Sequence, residues 1–372
     1  MDGNRKAEAR GRSGASAGKS ASLRRSRRRR GNAVTIHDVA RLAGVSPMTV
    51  SRVTNGESNV RESTRDLVMR AVRELNYSPN PAARSLAGAQ GTRIALIYSN
   101  PSASYLSELL VGALDKASRT ASQLVLEKWD AMKPAAERAA ARKLAQSVAG
   151  VILPPPLCES PVLISEFAAA KVPVVGIATG RFRPDVCCVR IDDFRAASDM
   201  TRHLINLGHT NIGFIKGHPN QTASAQRFAG FQTTLEEAGI TPNPSYVEQG
   251  YFTYRSGLEA AERLLSRKRP PTAIFASNDD MAAAVIAVAH RRGLDVPRDL
   301  SVVGFDDSPI ATTVWPELTT IRQPIAAMAD AAITLLLRRI RHRKTGAALE
   351  PIDHLFAHEM VKRSSDAPLK AS

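Results

Sequence analysis

Apolar positions change their spacing along this chain. Between Thr35 and Leu75 they recur every three to four residues. Ile36, Val39, Ala40 and Ala43 share one helical face, which predicts an amphipathic helix. Thr35 stands before it as a cap, Asp38 sits in its first turn, and Gly44 ends it. Ser46-Pro47 opens a second helix, a cap followed by proline at the first helical position. That helix runs through Met48 to about Asn55, where Asn55-Gly56 breaks it. A third helix begins at Ser63 or Thr64 and shows Leu67, Val68, Ala71, Val72 and Leu75 on one face. Asn76 to Pro79 stops it. Asn80 then caps a fourth, very short helix with Pro81 at its first position, ending near Ala87. Residues 1–33 carry Gly, Ser, Ala and Arg without periodicity, and are expected to be a disordered basic tail.

From Arg93 the rhythm becomes short apolar blocks separated by amphipathic stretches. The predicted strands are Ile94–Tyr98, Leu124–Glu127, Gly150–Leu153, Pro173–Ile177, Cys188–Ile191, Ile212–Ile215, Tyr246–Gln249, Ala273–Ala276 and Ser301–Phe305. Helices are expected between most of them. A last helix spans Ile325 to Ile340, and a strand-like end lies at Leu355 to Val361. Repeated strand–helix alternation means a doubly wound parallel sheet. About 270 residues exceed one ordinary sheet, so two α/β lobes are expected.

Composition adds a charge argument. The 372 residues carry a formal net charge of +16. Residues 1–30 hold eleven Lys/Arg against two acids, so +9 of that excess lies in the tail. Concentrated positive charge suggests a polyanionic partner. The three cysteines, Cys158, Cys187 and Cys188, do not form a disulfide framework, which suggests a reducing cytoplasm. No apolar h-region follows the basic N-terminus. The apolar run at 282–289 is too short to span a membrane.

Two eight-residue helices joined by Ala-Gly-Val-Ser fit a helix-turn-helix. Ser46, Thr49 and Ser51 offer short donors to phosphates near a helix N-terminus. Arg52 can read a guanine edge or clamp a phosphate. A fourth helix of about seven residues is unstable alone in water. It should order only when DNA and a second copy pack against it.

The run VARLAGVSPMTVSRVTNGESNVRESTRDLVMRAVRELNYSPNPAARSLA resembles the headpiece of the lac repressor and purine repressor family of bacterial transcription regulators. LNYSPNPAARSLA matches that family's linker and hinge helix. The resemblance implies that Pro47 and Met48 stand at the base-reading positions. Neither can make a bidentate hydrogen bond, so readout shifts toward Arg52, Asn55 and DNA shape. Thr35 and Asn80 join the expected DNA-facing residues. The resemblance makes Leu86 a wedge for the minor groove, with small Ala83 allowing two hinge helices to approach.

The remainder is similar to the same family's two-lobed core, itself like periplasmic sugar-binding proteins. RFAGFQTTLEEAG, FASNDDMAAAVIAVAHRRGLDVPRDLSVVGFDDSP and WPELTTIRQP carry the likeness. It implies effector contacts from Arg227, Asn278 and Asp306, and a stacking role for Phe252. Chemistry supports a polyol independently. Asp306 and Asn278 lie at strand ends where open α/β sheets bind ligands, and a carboxylate beside a guanidinium can grip vicinal hydroxyls. Tyr105 and Trp315 are further aromatic candidates. The strand Pro173–Ile177 ends in Ala178-Thr179, where the lac repressor carries an acidic group, so the same galactosides are not expected.

The expected organisation is therefore a tail at 1–33, a headpiece at 34–79, a hinge and linker at 80–91, a core at 92–365 and a tail at 366–372. The expected function is a ligand-responsive regulator of sugar genes. It binds pseudo-palindromic double-stranded operator DNA as a homodimer, with a saccharide between its lobes. SSDAPLKAS lacks the apolar heptad of a tetramerising coiled coil. No cofactor and no membrane contact are implied. The competing class is a sugar-binding or sugar-modifying protein without DNA. It would need a secretory signal or a converging catalytic constellation. The pairs Asp192-Asp193, Asp279-Asp280 and Asp306-Asp307 each should turn only one carboxylate inward, too few for general acid–base work. His354 and His358 lack the converging partners of a metal site.

Overall fold

A computed structural model describes residues 34–54, 60–75, 77, 92–120, 122–129, 133–345 and 350–369. Five sequence expectations lie outside these: the tail at 1–33, Asn55, Asn80, the hinge helix with Ala83 and Leu86, and the final residues 370–372. The chain divides into two compact units, Met1–Ala89 and Gln90–Ser372.

In the first unit α1 is Ile36–Ala43, α2 is Pro47–Thr54 and α3 is Glu62–Glu74. Local chemistry sets their ends. The Thr35 amide and hydroxyl both donate to Asp38 Oδ2, at 2.9 and 2.6 Å. Those bonds, led by the hydroxyl, hold the Asp38 carboxyl below its usual range. Gly44 closes α1 with φ of 65°, a conformation that favours glycine. Ser46 Oγ accepts the Thr49 amide at 3.1 Å and so caps α2. Val39, Ala40, Val50, Val53, Val68 and Ala71 form the small core. The sequence reading placed Leu67 on that inner face, but it is 46% exposed. It lies at the edge of the stripe that Val68, Ala71, Val72 and Leu75 turn to the core.

The second unit holds two six-stranded sheets. Its elements run β1 (Arg93–Tyr98), α4 (Ala103–Arg119), β2 (Gln123–Lys128), α5 (Pro134–Ala145), β3 (Gly150–Leu153), α6 (Pro161–Ala169), β4 (Val174–Ile177) and β5 (Cys187–Ile191). They continue with α7 (Asp193–Asn206), β6 (Ile212–Lys216), α8 (Thr222–Glu237), β7 (Val247–Gln249), α9 (Tyr254–Leu265), β8 (Ala273–Ala276), α10 (Asp279–Arg291) and β9 (Ser301–Asp306). The last are α11 (Ile310–Thr313), β10 (Thr319–Arg322), α12 (Ile325–Thr345), β11 (Asp353–Phe356) and β12 (Glu359–Val361).

The first lobe's sheet has the order β11-β5-β4-β3-β1-β2, and the second's β12-β10-β9-β8-β6-β7. Every ladder is parallel except β10 with β12. Strands β3, β4, β8 and β9 are buried throughout, as sheets covered on both faces require. Each order reverses beside its first strand, at β1 and at β6, which is where such sheets open a crevice.

Three segments cross between the lobes: Ile191 to Asp193, Arg322 to Ile325 and Phe356 to Glu359. The strand-like end expected at Leu355 to Val361 is two strands. It breaks at Ala357-His358, and its halves pair in different sheets. Its apolar pattern marked β-structure without revealing the crossing. The residues beyond are fastened to the second lobe. Ser365 Oγ accepts the Thr319 amide at 2.8 Å, His203 Nε2 lies 2.6 Å from Asp366 Oδ2, and the Leu369 amide donates to Leu207 at 2.8 Å.

Helix α12 covers the first sheet with Met328, Ala329, Ala332, Ile333 and Leu336, all buried. Beside it α4 approaches so closely that a Cβ on Gly112 would strike the Ala326 backbone. Backbone cannot yield as a flexible side chain does. Gly112→Ala should therefore lower the core's unfolding free energy by about 1–3 kcal/mol, the usual cost of overpacking. Urea denaturation of the two proteins measures this, and equal midpoints would refute the close approach.

Candidate functional sites

Helix α2 buries Val50 and Val53, which turns its opposite face outward. Met48, 64% exposed, and Arg52 occupy that face, with Ser51 half-buried beside them. Ser46 is exposed at the helix start, whereas Pro47 and Thr49 are half-buried. The Ser46 and Thr49 hydroxyls lie 2.9 Å apart. This capped N-terminus with an outward methionine and arginine can face a phosphate backbone and reach past it.

In the second unit a cleft opens between the lobes. Tyr105, Arg227, Phe252, Asn278 and Asp306 all line it. The sequence reading had drawn these five from positions up to 201 residues apart. Trp315 does not join them, being 78% exposed. It follows the short α11, which carries it away from the strand ends.

Arg227 is buried on α8 and its guanidinium engages the wall through Nε and Nη1. Nε donates to Asp193 Oδ1 at 2.8 Å, and Nη1 donates to the Ser277 carbonyl at 2.6 Å. The same Nη1 stands 3.7 Å from Asp306 Oδ1. Cζ lies 3.6 Å from the Phe305 ring centroid, a cation–π contact. Asp306 ends β9 with φ of 114°, followed by Asp307 at 55°. Gln323 Nε2 donates to Asp306 Oδ1 at 2.6 Å. Asn278 caps α10 by accepting the Met281 amide at 3.1 Å, and its Nδ2 donates to the Phe252 carbonyl at 3.2 Å.

Burial dominates the acids here. It pushes the Asp306 carboxyl up to about 7, although Arg227 and the Gln323 bond pull the other way. Asp193 is raised by burial against the opposing pull of Arg227. Asp279 is raised well above its usual range by burial and then by Asp306. Of each adjacent acid pair one member is buried, namely Asp193, Asp279 and Asp306. The outer members have other work. Asp192 caps α7 through the Arg195 amide, and Asp307 pairs with Arg322 and Arg363. Among the described residues no group of His, Cys, Asp and Glu could hold a metal ion. His358 instead meets Asp199 at 2.9 Å.

The structure adds cleft residues that the sequence reading missed, Asn100, Ser102, Pro155, Gln221, Ala223 and Gln323, and places Ala178, which that reading had singled out, among them. Gln323 stands within a run already quoted for its family likeness, so it was within reach. Gln221 gave no signal beyond a polar residue before a helix. Three buried polar atoms in this wall lack a hydrogen-bond partner: Tyr105 Oη, Gln221 Nε2 and Gln323 Oε1. Such groups cost free energy unless something bonds them.

A helix-turn-helix unit followed by a two-lobed α/β core with a polar cleft defines a ligand-responsive DNA-binding regulator. Comparison with known proteins carries this further. Residues 35–80 match the profile of bacterial regulatory proteins of the lacI family, and residues 201–365 match a periplasmic binding protein-like domain. Catabolite control protein A of Priestia megaterium is 36% identical over 323 residues, covering 86% of this chain and 97% of that protein. The lac repressor dimer bound to operator and the anti-inducer ONPF superposes with a TM-score of 0.70 at 29% identity, over 90% of this chain and 99% of that one. The complex of the transcriptional regulator CelR with cellobiose gives 0.67 at 32% identity, over 89% and 99%. The chain belongs to the LacI family of bacterial transcription regulators. Its relatives are regulators and not enzymes. Among the described residues no helix is long and apolar enough to cross a membrane.

The Asp306 shift has a stability consequence. Its carboxyl is raised in the folded state, so folding is favoured by protonation. That contribution is complete below the ordinary value near 3.8 and is lost as pH rises toward 7. The advantage of Asp306→Asn over the native chain should grow from pH 4 to pH 7 and level off above. Denaturation curves across this range would show it, and a difference independent of pH would contradict the assignment.

Proposed function

We propose that this protein represses genes of sugar uptake or catabolism. It acts in the cytoplasm as a homodimer on a pseudo-palindromic operator and binds a saccharide between its lobes. The observation that carries this reading is the convergence of Arg227, Asp306, Asn278, Tyr105 and Phe252 on one cleft, in a chain whose α2 turns Met48 and Arg52 outward.

The cleft's chemistry favours a neutral polyol. Its one lining cation, Arg227, is matched by protein acids, so an anionic ligand would meet an excess of carboxylates. Asp306 can accept hydroxyl hydrogens, Tyr105 and Gln323 can complete the set, and Phe252 gives a ring an apolar face. Ala178 supplies no acid at its position, which argues against galactosides held as the lac repressor holds them.

On DNA each subunit places α2 in a major groove. Thr35, Ser46, Thr49 and Ser51 serve the backbone, while Met48 meets a thymine methyl and Arg52 and Asn55 address base edges. Pro47 fixes the helix start. Asn80, Ala83 and Leu86 belong to the stretch 80–91 that joins the units in sequence and that we assign to the central minor groove. Val111 and Leu114, exposed on one face of α4, suit a second copy. Effector and operator affinities are then coupled with equal magnitude in both directions.

Selection from a randomised double-stranded oligonucleotide library should return a palindromic site. Arg52→Ala should weaken that site about tenfold or more, the usual scale of a lost base or phosphate contact. A library that yields no preferred sequence would refute the DNA role. In thermal-shift screening against neutral saccharides, at least one sugar should raise the melting temperature. Asp306→Ala should abolish that shift while leaving operator binding intact. A retained shift would remove Asp306 from the site.

A further inference from the structure

The two walls of the cleft are also tied directly to each other. Glu159 belongs to the first lobe, in the turn Leu157–Glu159 after β3. Thr222 opens α8 in the second. The Glu159 carboxylate accepts the Thr222 amide at 3.0 Å, and it accepts the Thr222 hydroxyl as well. The Gly180 amide, just beyond β4, points at the same group, 3.3 Å from Glu159 Oε1 and 3.1 Å from Thr222 Oγ1. The fit is so close that a Cβ on Gly180 would strike the backbone of Thr222 and Ala223.

A second tie uses the opposite polarity. Asp280 stands in the first turn of α10, on the second lobe. Its Oδ2 accepts the Ser102 hydroxyl at 2.8 Å, and its Oδ1 accepts the Ser104 hydroxyl at 3.0 Å. Ser102 caps α4 of the first lobe by accepting the Tyr105 amide at 3.2 Å.

We infer that Glu159 and Asp280 are paired latches across the cleft, which set how far the lobes stand open through bonds made by protein groups alone. Three features support this. Both carboxylates sit at the start of a helix, where the backbone amides and the macrodipole favour negative charge. The cap of α8 comes from the other lobe, because its own preceding residue, Gln221, makes no side-chain cap. Each latch also adjoins the ligand wall: Thr222 lies between Gln221 and Ala223, and Asp280 lies two residues from Asn278, all three of which line the cleft. Opening at one latch thus moves the surfaces that an effector touches. An effector shifts the lobes only by its differential affinity for the closed and open forms, so latch strength sets the threshold it works against.

Hydrogen exchange on the full-length chain, without effector or operator, tests the latches separately from the sugar-repressor reading. Glu159→Ala should speed exchange of the Thr222 and Gly180 amides. It should also speed the Tyr105 amide at the far lip by about tenfold, the scale of one lost charge-assisted bond. Asp280→Ala should do the converse, exposing Thr222 from the other side. Strands β3 and β9 should keep native protection in both variants. Glu159→Gln, which sets an amide NH₂ against two N–H donors, should reproduce Glu159→Ala and decides the matter if the alanine variant unfolds. Exchange that rises only at Gly180 and Thr222, or only at Tyr105, would mean local caps and would overturn the latches.

Discussion

A guanidinium removed from water must find its compensation in the surrounding protein, and the cleft of this regulator is arranged around that need. Arg227 is 5% exposed. Asp193, the Ser277 carbonyl and the Phe305 ring surround it, with Asp306 slightly farther off. Removing one partner from such a set costs far more than the set contributes, because a buried charge is left uncompensated. The partners come from the start of α7, the end of β8 and the end of β9. Matching Arg227 therefore aligns three separate segments of the second lobe at the same depth. The ligand wall is a by-product of that alignment.

Asp306 illustrates how local strain is held in place by distant partners. Two successive non-glycine residues, Asp306 and Asp307, have positive φ, a conformation that persists only where its surroundings over-determine it. Asp307 is gripped by Arg322 at 2.7 Å and by Arg363 at 2.6 Å. Arg322 ends β10 just before the crossing to α12, and Arg363 follows β12 just after the crossing from β11. The corner that aims Asp306 is thus clamped by the roots of two interlobe crossings. A change in lobe angle acts on the roots of that clamp, which ties the aim of Asp306 to lobe geometry.

What the sequence revealed follows the range of the interactions involved. Thr35 with Asp38, Ser46 with Thr49, and Gly44 act within four residues, so caps and turns could be read directly. Period and run length exposed the buried strands for the same reason. The acid pairs were legible too, since adjacent side chains diverge and only one of each reached the interior. Longer partnerships left no mark. Glu159 meets Thr222 across 63 residues, and nothing in Leu-Cys-Glu-Ser distinguishes a latch from a solvated turn. Gln221 and Gln323 reach the cleft only because two sheets place their strand ends face to face. The split between β11 and β12 was hidden because both halves carry ordinary strand composition. Trp315 misled through size, since a large aromatic near a binding motif suggests a ring platform, yet its backbone leads outward.

These constraints also explain why several acids stand behind the cleft wall while one of them, Asp306, lines it. Each acid stabilises something other than the ligand: Asp193 matches Arg227, Asp279 binds Ser308 and Thr320, and Asp280 reaches across to the first lobe. Only Asp306 combines a structural bond, from Gln323, with an opening toward the cleft. Burial raises its proton affinity, so its partners must tolerate both a carboxylate and a neutral acid. A hydroxyl, like the Gln323 amide, can donate to the first, and it can accept from the second. A fixed cation or anion can do only one of these. The titratable character of Asp306 and the proposed preference for uncharged hydroxyl ligands are therefore two consequences of the same burial.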